Sequence, residues 1–209
     1  LTKLTEVSYG LNFEQPLEQL LRIIAASIRD ATTFQAVLIS IYEQETDLLR
    51  RVTGVGFSSD TLAELLSRKQ AYSSIQQMLK PQFRISRSYF IPVNEAPIIP
   101  ADVHMVTLSL DDKNTRVPSA WDPDDILVVP LQDTQGKPLG LISLDAPRDG
   151  MRPDLATIET LEIFAAQASL AIANHSRFTE LRTKAESLSS GMERQQRLIN
   201  LTQNDLPIL

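Results

Sequence analysis

The chain has 209 residues, 43% hydrophobic and 22% charged, enough apolar material for one sizeable domain with extensions. Its formal net charge of −6 and its lack of a basic run argue against binding nucleic acid by phosphate neutralisation. Cysteine is absent, which excludes disulfides, thiolate nucleophiles, iron–sulfur clusters, cysteine zinc sites and thioether-linked chromophores, and fits a cytoplasmic protein.

No secretory signal peptide opens the chain, and its uninterrupted apolar runs fall well short of a membrane span, so no membrane partner is expected. A start at Leu1 reads as a fragment of something longer. The first residues, 1–13, read as a short amphipathic linker helix carrying Leu1, Leu4 and Leu11, with Gly10 as its weak point. Glu14 to Ala31 follows as a helix, because Leu17, Leu20, Leu21, Ile24 and Ile28 recur at spacings of three and four. Pro16 suits its first turn, where a missing N–H breaks no bond.

The period then changes to two. In Phe34 to Glu43, Val37, Ile39 and Ile41 alternate with Ala36, Leu38, Ser40 and Tyr42, the pattern of a strand buried on both faces. A polar turn leads into a second strand, "LLRRVTGVG". Helices are expected over Ser58 to Leu66 and Ser73 to Leu79, and a third strand over Arg84 to Val93. From Asn94 to Asp124 the periodicity is lost among Pro97, Pro100, Pro118 and Pro123, the composition of a functional lid or an insertion; a short strand is expected within it at Val103 to Leu110.

Asp125 to Pro147 reads as two apolar strands joined by "DTQG", a hairpin loop with Asp133 at its first position and Gly136 where positive φ is wanted. Apolar residues on both faces imply cover on both sides. Along the second strand Leu139, Leu141, Ser143 and Asp145 share one face, and Gly140, Ile142 and Leu144 the other. Pro130 suits only an edge or a bulge, and a bulge is expected there. A long helix starts at Pro153, with Asp154 in its first turn to suit the dipole.

Within that helix Phe164, Gln167, Ala171, Asn174, Phe178, Leu181, Ala185, Leu188 and Met192 follow a three–four alternation that continues to Leu206. This is a heptad seam, and its 3.5-residue period calls for a partner helix. A parallel homodimer is expected, with Phe164, Ala171, Phe178, Leu181, Ala185 and Leu188 at its interface. A solitary amphipathic helix packed on its own domain is the competing reading. At "SLSSGMER", Gly191 disfavours helix and Ser190 with Glu193 has capping-box spacing, so a break at Ser189 to Gly191 is an open alternative.

Catalytic chemistry is not evident. There is no G-x-S-x-G elbow or phosphate-binding glycine loop. Neither His104 nor His175 has a second histidine at metal-ligand spacing, and His175 lacks the acidic neighbour and proline of a phosphoacceptor box. Asp122, Asp124 and Asp125 lack the spacing of a calcium loop, so no metal is expected.

The order of elements, and above all Trp121 to Phe178 with "PLQDTQGKPLGLISLD" and "LEIFAAQASLAIANH", resembles the GAF domain of bacterial multidomain signalling proteins such as sensor histidine kinases or cyclase-type regulators. "RISRSYFIP" is similar too. The resemblance implies an α/β fold of the α+β type. Its antiparallel sheet of five or six strands would carry the terminal helices on one face, and the lid with the short helices on the other. It places the domain at 14–180, with the lid at 94–124 and a signalling coiled-coil helix at 181–209 leading to an output domain of the same chain. The implied role is a non-enzymatic sensory module that binds an unidentified small molecule, dimerises, or both; a purely structural dimerisation module is the alternative. Ligand-binding candidates are Tyr89, Phe90, His104, Trp121 and Ser143, aromatic faces for stacking and one hydroxyl for orientation. The N-K-x-F-D-E type signature of the cyclic-nucleotide class is not found. Covalent bilin and the methionine-sulfoxide reductase branch both need cysteine, and haem through His104 stays open; the cofactor is unknown.

Overall fold

The computed structural model describes residues 16–95, 99–103, 117 and 119–204, with side chains described through Met192. The expected linker helix at 1–13, His104 and nearly all of the expected strand at Val103 to Leu110 lie outside the described residues. The chain divides into two compact units, Leu1–Ile172 and Ala173–Leu209.

The first described element is α1 (Leu17–Ala31), which buries Leu21, Ile24, Ala25 and Ile28 along one face. Fifteen residues are marginal as an isolated helix, so this packing, about 1.5–3 kcal/mol per large side chain, is what holds it. The Thr32 N–H and hydroxyl both donate to the Ile28 carbonyl, at 3.0 and 2.8 Å, and close its C-terminus.

There follow β1 (Phe34–Glu43), β2 (Leu48–Val55), α2 (Ser59–Ser67), β3 (Lys69–Ala71) and α3 (Tyr72–Met78). Ser58 caps α2, its Oγ accepting the Thr61 N–H at 3.2 Å. Then come β4 (Arg84–Ile85), β5 (Ser88–Ile91), β6 (Ile126–Gln132), β7 (Pro138–Pro147) and α4 (Leu155–Asn204). The expected single strand from Arg84 to Val93 is instead a tight hairpin of β4 and β5, turned at Ser86 with φ +57°.

The seven strands among the described residues lie in one antiparallel sheet, in the order β3-β2-β1-β7-β6-β5-β4. That exceeds the five or six expected because β3 and β4 are edge pieces of three and two residues, too short to carry a periodic signal. The β6–β7 loop forms as read: Asp133 Oδ1 accepts the N–H groups of Gln135 and Lys137, and Gly136 has φ +80°. Pro130 itself stays in register with Leu141, and the irregularity lies one step on, between Leu131 and Gln132. Proline is tolerated there because β5 pairs β6 only from Ile126 to Val128, so Pro130 has no neighbour on that side.

Each face of the sheet has its own core. On one, Val37, Ile39, Leu127, Val129, Ile142 and Leu144 meet α1 and the start of α4 through Ile158, Leu161, Ala165, Ala168 and Ile172. On the other, Leu49, Ile91, Ile126, Val128 and Leu141 meet α3 and Val103. Terminal helices therefore cover one face, and the short helices with the described start of the lid cover the other.

Asp154 caps α4, accepting the Thr157 N–H at 2.8 Å. The helix passes through Gly191 without a break. By length and composition Leu155–Met192 would suffice to cross a bilayer. Ile158, Leu161, Ala165, Ala168 and Ile172 are nevertheless buried against the sheet, as in a core helix, while Leu155, Ile163 and Leu170 point away from it.

Candidate functional site

Between the sheet and the short helices lies a cavity of about 420 Å³, within the usual range of small-molecule sites. Strand alternation decides what lines it. Ile39, Ile142 and Val129 are cross-strand partners facing the terminal helices, so the neighbouring row of Leu38, Ser143 and Val128 faces the cavity. The lining adds Ala36, Ser40, Leu141 and Asp145 from the same strands, Leu65 of α2, Ile75 and Met78 of α3, and Ile99 and Val103 of the lid.

Polar groups are few and sit at two ends. At one, Arg51 of β2 lies opposite Ser40 of β1. Its guanidinium donates to the Leu65 carbonyl at 3.3 Å and to Gln70 Oε1 at 3.2 Å. Burial pushes its pKa down, and the positive charge of Arg68 adds to that. At the other end stand Asp145, Asp124 and Asp125.

Asp125 is committed to structure. It accepts the N–H groups of Val93 and Asp122 at 2.9 and 3.0 Å and a fork from Arg152, Nε at 2.9 Å and NH2 at 3.2 Å. Arg152 also lies over the Phe90 ring, 5.3 Å from its centroid. Thus a residue in the cavity wall is pinned to one just before the start of α4. A second pin is Glu162 of α4, buried at 5% exposure, which accepts from Ser86 Oγ, Ser88 Oγ, the Arg87 N–H and Arg87 Nε at 2.7–3.1 Å. Burial pushes this carboxyl up, but the bonds from the Arg87 backbone, Ser88, Ser86 and the Arg87 side chain outweigh it and hold it below the usual range.

Of the ligand candidates, Ser143 lines the cavity. Tyr89, Phe90 and Trp121 are not in the lining. Tyr89 pairs with Val128 and packs at the margin of the cavity-side core. Phe90 pairs with Leu127, so its ring turns to the helix-covered face. There Trp121 packs between Phe90, tilted at 5.9 Å between centroids, and Phe34, edge-on at 5.5 Å. The turn at Ser86 sets which face each β5 residue takes, and nothing in the apolar pattern marks it. Of the interface candidates, Phe164 and Ala171 are half-buried, Phe164 against its own core, while Phe178, Leu181, Ala185 and Leu188 are exposed.

Arg51, Gln70, Arg152 and Glu162 went unnoticed in the sequence, and Asp125 was weighed there only as a calcium ligand. A signal existed for Arg51: period two puts it on the face of Leu49, and both are buried; the register shift beyond it turns Thr53 to the other face, opposite Ile39. Gln70 and Glu162 gave none, since each depends on a partner distant in sequence.

One antiparallel sheet, covered by helices on one face and with a cavity of about 420 Å³ on the other, defines an α+β domain. The family follows directly: residues 16–172 match the GAF domain, and the chain belongs to that family. GAF domains are typically ligand-binding or regulatory signalling modules. The fold is also that of the GAF domain/HD domain protein from Geobacter sulfurreducens, at 9% identity and TM-score 0.56 over 77% of this chain and 94% of that one. Part of a methyl-accepting chemotaxis protein is similar at 18% identity and TM-score 0.54, over 78% of this chain and 92% of that one. The GAF domain of a phosphoenolpyruvate-protein phosphotransferase from Coxiella burnetii is similar at 19% identity and TM-score 0.52, over 85% and 92%. No curated protein matches the sequence.

Proposed function

We propose that this domain is a non-enzymatic sensor in a multidomain bacterial signalling protein of the sensor-kinase or cyclase-regulator type. A small molecule enters the cavity, and its occupancy is passed through α4 to an output domain. The observation that carries this is the pair of pins joining the cavity's surroundings to the signalling helix. Asp125 in the wall holds Arg152 ahead of α4, and the β4–β5 hairpin next to cavity-lining Ile91 holds Glu162 within α4. A ligand that favours one arrangement of the wall shifts α4 only by its difference in affinity for the two states. The module works as a homodimer through its terminal helices.

The test is a thermal-shift screen of the purified protein against nucleotides, haem, bilins and small metabolites, with an absorption spectrum of the protein as isolated. A binder whose stabilisation is lost on filling the cavity, for example with Ser143→Phe, supports the sensor reading. Absence of any binder would favour dimerisation alone, the reading that the exposed Leu181, Leu188 and Met192 support by themselves.

A further inference from the structure

We propose that the β4–β5 turn is a docking point for an acidic segment of a partner protein, whose carboxylates are taken by Arg84 and Arg87.

Charge is spread unevenly along the chain. Its net charge is −6, yet between Glu64 and Glu95 it has five basic residues and no acidic one. Two of the five are neutralised where they stand, Arg68 by Glu64 and Lys69 by Glu43. The other three, Lys80, Arg84 and Arg87, bracket a short 3₁₀ turn (Pro81–Phe83) and the β4–β5 hairpin, at the edge of the sheet. Lys80 and Arg84 have no ion pair among the described residues. The one carboxylate paired with Arg87 is Glu162, which is buried and already shared among four donors. Glu159, one turn earlier on α4, makes no ion pair with either arginine.

Both arginines are held at the root of the guanidinium and open at its tip. Arg84 Nε donates to the Ser86 carbonyl at 2.7 Å, and Arg87 Nε to Glu162 at 3.1 Å. The terminal amino groups of both bond to no described residue, and both residues are exposed, the Arg87 side chain at 68%. A guanidinium fixed through Nε presents its two terminal N–H groups already oriented, so a carboxylate is taken in parallel bonds at little cost in rotamer entropy. The backbone between them is set as well, because Ser86 holds the turn at φ +57°, a conformation unusual for a residue other than glycine. Charge at a sheet edge often serves only to block pairing with another chain, and that task needs no anchored side chains.

The rest of the molecule selects the partner. A membrane surface or a nucleic acid, extended and uniformly negative, also meets the acids that outnumber bases elsewhere in the chain. A short acidic segment meets the basic corner alone. Once docked it lies one side chain from α4, since Arg87 is bonded to Glu162.

The experiment uses the whole chain and a fluorescent peptide of alternating glutamate and serine, read by anisotropy at low and high salt. Its counterpart with glutamine for glutamate, duplex DNA and phosphatidylserine vesicles are run beside it. The glutamate peptide should bind at low salt, weaken about fivefold or more at high salt, and outbind the other three. Arg84→Gln with Arg87→Gln should weaken it about tenfold, the combined effect of two exposed charge pairs. Arg68→Gln with Lys69→Gln removes equal charge from the same stretch and should leave binding unchanged, since those cations are already paired. Should loss of the Glu162 contact unfold the first double variant, Arg84→Gln alone should still weaken the peptide severalfold at an unchanged melting temperature. Equal losses from the two pairs would reduce the effect to net charge and overturn the docking point. So would a peptide that fails to bind, or DNA or vesicles that bind as tightly. The sensor reading rests on the cavity and is decided separately.

Discussion

Glu162 shows how one residue ties the two ends of the domain together. Its carboxylate accepts four bonds from three consecutive residues of the β4–β5 turn. Three of those donors are backbone or hydroxyl groups close to the turn, and the Arg87 side chain is 68% exposed, so the ion pair is the smaller part. Glu162→Gln keeps one acceptor and loses the charge, and should destabilise the domain by about 1–3 kcal/mol, the range for bonds to a charged group. Urea unfolding at pH 7 measures it. The pH dependence carries a sign. The folded pKa lies below the unfolded one, near 4.3 in an unstructured chain, so the contribution is fully present above that value. It is lost as pH falls through the folded pKa. Wild type should therefore lose stability, as pH falls below the unfolded value and through the folded pKa, that the Gln variant does not lose; parallel curves would remove Glu162 from the account.

Among the elements, two glycines mark the contrast between tight packing and open space. A Cβ on Gly140 of β7 would stand 2.1 Å from the Ser40 carbonyl oxygen of β1, a contact that a strand fixed on both sides cannot relieve by moving a side chain. At Gly191 within α4 nothing lies within 4 Å. Gly140→Ala should thus cost about 1–3 kcal/mol in overpacking. Gly191→Ala should stabilise the helix by about 0.5–1 kcal/mol, since alanine loses less backbone entropy there. Thermal melts of the two variants should move in opposite directions. Both glycines sit in elements that hydrophobic period alone predicts: the β6–β7 hairpin reads as covered on both faces, and alternation places Ser143 in the cavity wall. What alternation does not carry is a phase reset. Ser86 takes a positive φ, one strand becomes two, and the side chosen by Tyr89, Phe90 and the residues after them no longer follows from counting. Arg51 and Gln70 are hidden for another reason. Their meeting needs β2 and β3 paired across α2, and a three-residue edge strand has no period to read.

For the whole molecule the open question is what the apolar side chains left exposed on α4 are for. In the first unit these are Leu155, Ile163 and Leu170, at 58, 61 and 62% exposure; in the second they are Phe178, Leu181, Leu188 and Met192. The expected seam began at Phe164 and Ala171, but the domain's own sheet takes up Phe164, and the free stripe alongside it runs one residue earlier. A helix that also covers a core has two apolar faces, and the period cannot say which is spare. The proposed homodimer makes this distinction measurable. Leu181→Lys with Leu188→Lys removes four leucines from a two-fold interface, each contributing about 1.5–3 kcal/mol when buried, and sets like charges against each other. Light scattering should report monomers with an unchanged melting temperature of the GAF core. Ile163→Lys with Leu170→Lys should weaken the dimer without loosening the fold. Phe164→Ala should do the reverse, lowering the melting temperature because it opens a gap against the core. A chain that stays dimeric with lysine at both 181 and 188 would show that the second unit's exposed stripe does not hold the two copies together.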